Sequence, residues 1–113
     1  MLEIRYYISR NGRSPFEEWF ADVDATARAK VAASIIRLEQ GNLSNVKSVG
    51  EGVFEYRINF GPGYRVYFGR DGDVLLILLT GGTKKRQQRD IRTAIELWTD
   101  YRLRKHSRQG LRG

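Results

Sequence analysis

The sequence predicts an α+β domain, a mostly antiparallel sheet backed by helices, with elements in the order β-α-α-β-β-β-α. Three observations lead there. Apolar residues alternate with period 2 near the N-terminus and again between residues 53 and 68, the mark of half-buried strands. Between residues 14 and 40 the spacing becomes helical. After an unbroken apolar run at 74–79, helical spacing returns as far as about Lys105.

In the first strand, Leu2 to Ser9, Ile4, Tyr6 and Ile8 oppose Glu3, Arg5 and Tyr7, and Asn11-Gly12 ends it. Ser14-Pro15-Phe16-Glu17 reads as a capping box with proline at the first helical position. Phe16, Trp19, Phe20 and Val23 then fall on one helical face. A second helix runs from an Asp24 N-cap to Gln40, with Ala27, Val31, Ile35 and Leu38 on a stripe and Gly41 as the stop. The two make an α-hairpin, followed by a loop over residues 42–51.

Phe54, Tyr56 and Ile58 alternate with Glu55, Arg57 and Asn59, and Phe60-Gly61-Pro62-Gly63 turns the chain. Tyr64, Val66 and Phe68 then alternate with Arg65 and Tyr67, completing a β-hairpin. Arg70-Asp71-Gly72-Asp73 turns into Val74–Leu79, whose lack of alternation predicts a central strand covered on both faces. Past a Thr80–Thr83 loop, Ile91, Ala94, Ile95 and Trp98 form the apolar stripe of a final, otherwise basic helix from Lys84 to about Lys105. A single domain is expected over residues 1–106, with 107–113 a flexible tail.

Composition removes several kinds of chemistry. With no cysteine and one histidine among 113 residues, disulfides, thiolate sites and a histidine-built zinc site are excluded. No window approaches the ~18 apolar residues of a membrane span, and no apolar signal segment follows Met1, so a cytoplasmic location is expected. There is no Ser-His-Asp set, no H-E-x-x-H and no carboxylate pair in a cleft segment; Asp71 and Asp73 are turn residues, Trp19 and Trp98 core, and His106 exposed. Charge is uneven: residues 1–60 hold 8 Lys/Arg against 8 Asp/Glu, and 61–113 hold 12 against 5, so the excess of +7 lies in the C-terminal half. That asymmetry points to a polyanionic partner.

Strand phase suggests where such a partner binds. If Phe54, Tyr56, Ile58, Tyr64, Val66 and Phe68 face the core, then Glu55, Arg57, Arg65 and Tyr67 point away from it together. Solvated strand residues, with Arg57 paired to Glu55 or another carboxylate for at most about 1 kcal/mol, would give the same pattern. The loop Gly81-Gly82-Thr83-Lys84-Lys85-Arg86 adds a place for phosphate, because glycines let backbone approach a ligand and three cations at a helix start call for an anion. It lacks the Walker spacing.

The strings Gly52-Val53-Phe54-Glu55-Tyr56-Arg57-Ile58, Gly63-Tyr64-Arg65-Val66-Tyr67-Phe68 and Gly81-Gly82-Thr83-Lys84-Lys85-Arg86-Gln87-Gln88-Arg89-Asp90-Ile91 resemble the phage-derived, HigB-like killer-protein branch of the RelE/ParE toxins of type II toxin–antitoxin modules. The resemblance covers nearly the whole chain. It implies a RelE-like fold and a toxin silenced by a cognate antitoxin, of the HigA-like helix-turn-helix kind, through which alone it would meet operator DNA. It also implies a metal-independent endoribonuclease without cofactor that cuts mRNA on the ribosome and blocks translation.

By the same resemblance, Arg65 is the phosphate-stabilising arginine and Arg57 a basic strand residue facing RNA. Lys85 or its neighbour Lys84 would protonate the leaving group, and Tyr67 would stack on a base or move a proton. Arg86, Arg89 and Arg70 would bind RNA. Where the RelE pattern has an aromatic proton-transfer residue, this chain has Ile91, with Asp90 beside it. The general base is therefore unassigned. Two alternatives stay open: a ParE-like inhibitor of DNA gyrase, which shares the fold without hydrolysing RNA, and a non-catalytic nucleic-acid-binding module.

Overall fold

The computed structural model describes the backbone of residues 1–112 and the side chains of residues 1–107. Its elements are β1 (Glu3–Tyr6), α1 (Pro15–Asp22), α2 (Ala25–Glu39), β2 (Val46–Gly50), β3 (Val53–Ile58), β4 (Tyr64–Asp71), β5 (Leu75–Thr83), a 3₁₀ turn (Lys84–Arg86) and α3 (Gln87–Arg112). The expected α+β class holds, with one strand more than the sequence pattern indicates. The five strands lie in the order β1-β5-β4-β3-β2, and only the β1–β5 pair is parallel.

Local chemistry explains the helix starts. Ser14 Oγ accepts from the Glu17 amide at 3.2 Å and Asp24 Oδ1 from the Ala27 amide at 2.8 Å, so each helix satisfies a free N–H at its first turn. The additional strand, β2, lies in the segment expected to be a loop. It is an edge strand, mostly exposed and pairing only with β3, so it lacks the apolar alternation that reveals an inner strand. A turn with positive φ at Gly50, Glu51 and Gly52 joins the two.

Both sheet faces are covered. Phe16, Val31 and Leu38 of the α-hairpin pack against Tyr56, Val66, Phe68 and Leu78. On the other face, Ala94 and Trp98 of α3 pack with Val53, Tyr67, Ile77 and Leu79. The face that carries Glu55, Arg57, Arg65 and Tyr67, expected to point away from the core, thus has a core of its own. Because α3 follows β5 after only the three-residue 3₁₀ turn and carries an apolar stripe, it folds back over the face that bears Glu55, Arg65 and Tyr67 and buries all three. α3 extends to Arg112, past the end near Lys105 expected from sequence. Of the expected tail 107–113, the side chains beyond Ser107 and the whole of Gly113 lie outside the described residues.

Candidate functional site

The β3–β4 hairpin makes Arg57 and Arg65 direct cross-strand partners, and likewise Glu55 and Tyr67. Like charges directly opposite each other are unfavourable, and Glu55 offsets this. Its Oε1 accepts from Arg57 Nε at 2.9 Å and lies 3.7 Å from Arg65 Nε, while its Oε2 accepts from Gln87 Nε2 at 2.8 Å. The Glu55 side chain is fully buried at 0% exposure; Arg65 is 7% exposed and Arg57 42%. Burial acts to raise the Glu55 pKa, but hydrogen bonding from Arg57 and Gln87 and the charge of Arg65 outweigh it and hold the carboxyl below its ordinary value.

That depression has a consequence for acid stability. Above the ordinary value of 4.5 the network contributes in full, and its contribution drains away as pH falls through the depressed folded value. Wild-type protein is therefore expected to lose thermal stability more steeply below about pH 4.5 than Glu55→Gln. Melting curves recorded across that range check this, and parallel pH profiles for the two proteins would refute it.

Arg65 is the unusual member of the group. A guanidinium carries five N–H donors, yet among the described residues this buried one makes a single long hydrogen bond, from Nη1 to the Tyr64 carbonyl at 3.4 Å, and its Nε has no hydrogen-bond acceptor. It borders a groove of about 490 Å³ shared with Arg57, Asn59, Gly61, Gly63, Lys84 and Gln87. Gly63 shapes the rim: its φ is +79°, a Cβ there would lie 3.4 Å from Lys84 Cβ, and its carbonyl accepts from the Lys84 amide at 2.8 Å. The hairpin turn and the 3₁₀ turn are thereby clasped together, which brings Lys84 to the groove.

The structure separates the other candidates. Lys85 does not line this groove. With Arg86, Gln88, Arg89 and Arg92 it forms an adjoining exposed basic hollow of about 400 Å³. Arg70 lies away from both. It differs from Arg65 by five residues along β4, so it faces the α-hairpin side beside Phe54, Phe68 and Leu76 and donates to the Asp73 carbonyl at 3.0 Å. The expectation that Tyr67 stacks on a base is corrected as well: at 0% exposure it offers no ring face to a ligand. Burial, followed by the Glu55 charge, raises its pKa well above that of a free phenol, so it is neutral at physiological pH and poorly suited to act as a base. Tyr67→Phe is accordingly expected to fold with a stability change of at most about 1.5 kcal/mol by denaturant titration.

Gly81 and Gly82, expected to admit a ligand, are strand residues occupied by the protein itself. A Cβ on Gly81 would lie 2.2 Å from the Trp19 ring, and one on Gly82 would lie 1.9 Å from Asp90 Oδ2. Burial raises the Asp90 pKa against the charges of Arg89 and Arg86. Ile91 packs against the core beneath α3. His106 lies in a separate groove of about 630 Å³ with Asp71, Trp98 and Arg102. Gln87 and Asn59 were not foreseen. Gln87 has no signal of its own in the sequence, whereas the Glu55–Arg57 pairing was visible as an i, i+2 neighbour on one strand face.

The N-terminal helices, the mostly antiparallel five-stranded sheet and the C-terminal helix are compatible with the RelE-like fold. Residues 18–99, which include the groove and the basic hollow, match the family described as phage derived protein Gp49-like (DUF891). A protein of Haemophilus influenzae, named only as uncharacterized, is 46% identical over 80 residues, which are 70% of this chain and 81% of that protein. The chain belongs to the Gp49-like family, a RelE/HigB-type toxin family associated with toxin–antitoxin modules, and such a family implies an antitoxin partner. Among the described residues no helix is long and apolar enough to cross a membrane.

Proposed function

We propose that this chain is the toxin of a type II module and acts as a metal-independent endoribonuclease that cuts mRNA on the ribosome. The observation carrying this reading is Arg65, a guanidinium almost wholly removed from water, short of acceptors, and set in a groove with Arg57 and Lys84. Buried charge is tolerated when it is paired, and an RNA phosphate supplies oxygens that match the guanidinium fork.

In the reaction the 2′-oxygen of a ribose bonds to the adjacent phosphorus while the bond to the 5′-oxygen breaks, leaving a 2′,3′-cyclic phosphate and a 5′-hydroxyl. Arg65 and Arg57 offset the added negative charge of the phosphorane. Lys84, nearer the groove than Lys85, donates the proton taken by the leaving 5′-oxygen. The proton of the 2′-hydroxyl goes to a base that no residue of the groove is assigned to supply. Lys85, Arg86, Arg89 and Arg92 hold RNA of the message or the ribosome through its phosphates. A HigA-like helix-turn-helix antitoxin would silence the toxin and carry it to operator DNA, and a ribosomal target places the action in the cytoplasm.

Inducing the chain in cells and mapping mRNA ends by primer extension tests this. Cuts at codon-related positions are expected, with 5′-hydroxyl ends on the downstream fragments. Growth arrest with intact mRNA and trapped gyrase–DNA complexes would overturn the reading in favour of a gyrase inhibitor. Absence of toxicity together with salt-sensitive RNA binding would leave a simple binding module.

A further inference from the structure

Glu55 is costly in two ways. A carboxylate is almost never fully buried unless paired, and this one puts a negative charge beneath the groove proposed to hold phosphate. On Coulomb grounds alone, its removal would strengthen the attraction for an anion. What it contributes must therefore be geometric.

Its two oxygens divide the site between them. Oε1 engages both arginines at Nε, 2.9 Å from Arg57 and 3.7 Å from Arg65. Nε is the side of the guanidinium nearest the backbone, so this contact leaves the terminal Nη pair of Arg57 without a protein acceptor among the described residues. Arg65 Nη1 reaches the groove rim, 3.6 Å from where a Cβ on Gly63 would stand. Oε2 takes Gln87, the first residue of α3. Gln87 follows directly on the 3₁₀ turn that carries Lys84, so one carboxylate ties both arginines to the chain segment presenting the lysine. Without it, the two guanidiniums are cross-strand neighbours of like charge with nothing between them, and Arg57, which is 42% exposed, is free to swing into solvent.

We propose that Glu55 is a positioning residue: it aims the terminal N–H groups of Arg57 and Arg65 at one point in the groove and sets Lys84 opposite them. The inference rests on the nuclease reading, and it assigns Glu55 no contact with RNA and no proton transfer.

The test uses the full chain, with mRNA cleavage on programmed ribosomes measured beside the ¹⁵N-resolved Arg Nε–H spectrum titrated with inorganic phosphate. In Glu55→Gln, cleavage is expected to fall by about 100-fold, the scale of a misplacement near 1 Å. Affinity for ribosomes should stay within about threefold, because the basic hollow that supplies phosphate contacts is untouched. The Arg57 and Arg65 Nε–H signals should move and lose their response to phosphate. A purely structural role predicts a lower melting temperature with cleavage unchanged well below it.

Should Glu55→Gln fail to fold, Gln87→Ala removes only the half-buried partner of Oε2 and is expected to cost about tenfold in cleavage with a shift of the same signals. A folded Glu55→Gln, or a folded Gln87→Ala in its place, that cleaves at the wild-type rate with unchanged arginine signals overturns the inference and leaves the nuclease reading standing. Wild-type protein that leaves mRNA intact overturns both.

Discussion

Replacing Arg65 with alanine is expected to abolish growth arrest on induction and to lower mRNA cleavage by about 10²–10³-fold, the usual effect of removing one preorganised donor to a developing oxyanion. Exposure and geometry set this size. Arg65 is held at 7% exposure between Glu55, the Tyr64 carbonyl and the groove, so it needs little reorganisation to meet a phosphate. Arg57, at 42%, sits in higher dielectric and should cost less when removed. Arg65→Lys should not restore cleavage, because an ammonium replaces the planar fork with a point charge and cannot meet Glu55 and phosphate on separate edges. The alanine variant still leaves Glu55 with Arg57 and Gln87, so a stability loss of about 1–3 kcal/mol is expected rather than unfolding. Primer extension beside a thermal melt separates the two effects. A folded Arg65→Ala that cuts mRNA at the wild-type rate would remove the arginine from the mechanism.

How far the sequence could be read follows from what each pattern encodes. Capping chemistry is local, so the roles of Ser14 and Asp24 were legible and are seen as expected. Period-2 alternation says which residues share a face, and it grouped Glu55, Arg57, Arg65 and Tyr67 correctly. It says nothing of what lies over that face, and α3 turned four residues expected at the surface into a largely buried cluster with Arg57 at its margin. The same parity, carried along β4, would have put Arg70 on the opposite side from Arg65. Beyond a strand bulge, parity fails: the register of β5 shifts opposite Tyr67 and Phe68, and this turns Gly81 toward α1 and Gly82 toward α3. Glycines read as room for a ligand are room for Trp19 and Asp90. Gln87 required knowing where the 3₁₀ turn hands over to α3, which side-chain periodicity does not reveal.

The glycines beneath the two tryptophans, Gly81 and Gly69, give the largest expected stability effect. A methyl group at Gly81 would lie 2.2 Å from Trp19 Cε3 and 2.4 Å from Cζ3, and one at Gly69 would lie at the same distances from the same atoms of Trp98. A tryptophan ring thus seats on a glycine on each face of the sheet, Trp19 from α1 and Trp98 from α3. Trp19 packs among Phe16, Tyr64 and the strand, with ring centroids 5.8 and 6.4 Å away, so moving it off Gly81 would disrupt both aromatic contacts. Gly81→Ala and Gly69→Ala are each expected to cost about 3 kcal/mol, the upper range for overpacking, and to lower the melting temperature by roughly 10–20 °C for a domain of this size. The two clashes lie on opposite faces and share no partner, so the double variant should show additive losses in denaturant titration. In contrast, Trp19→Leu in the Gly81→Ala background should cost less than the sum of the single changes, because the methyl then fills space that the smaller side chain vacates. A melting temperature for Gly81→Ala within about 3 °C of wild type would mean that Trp19 repacks freely; the glycine would then not be required for the close approach of α1 to β5.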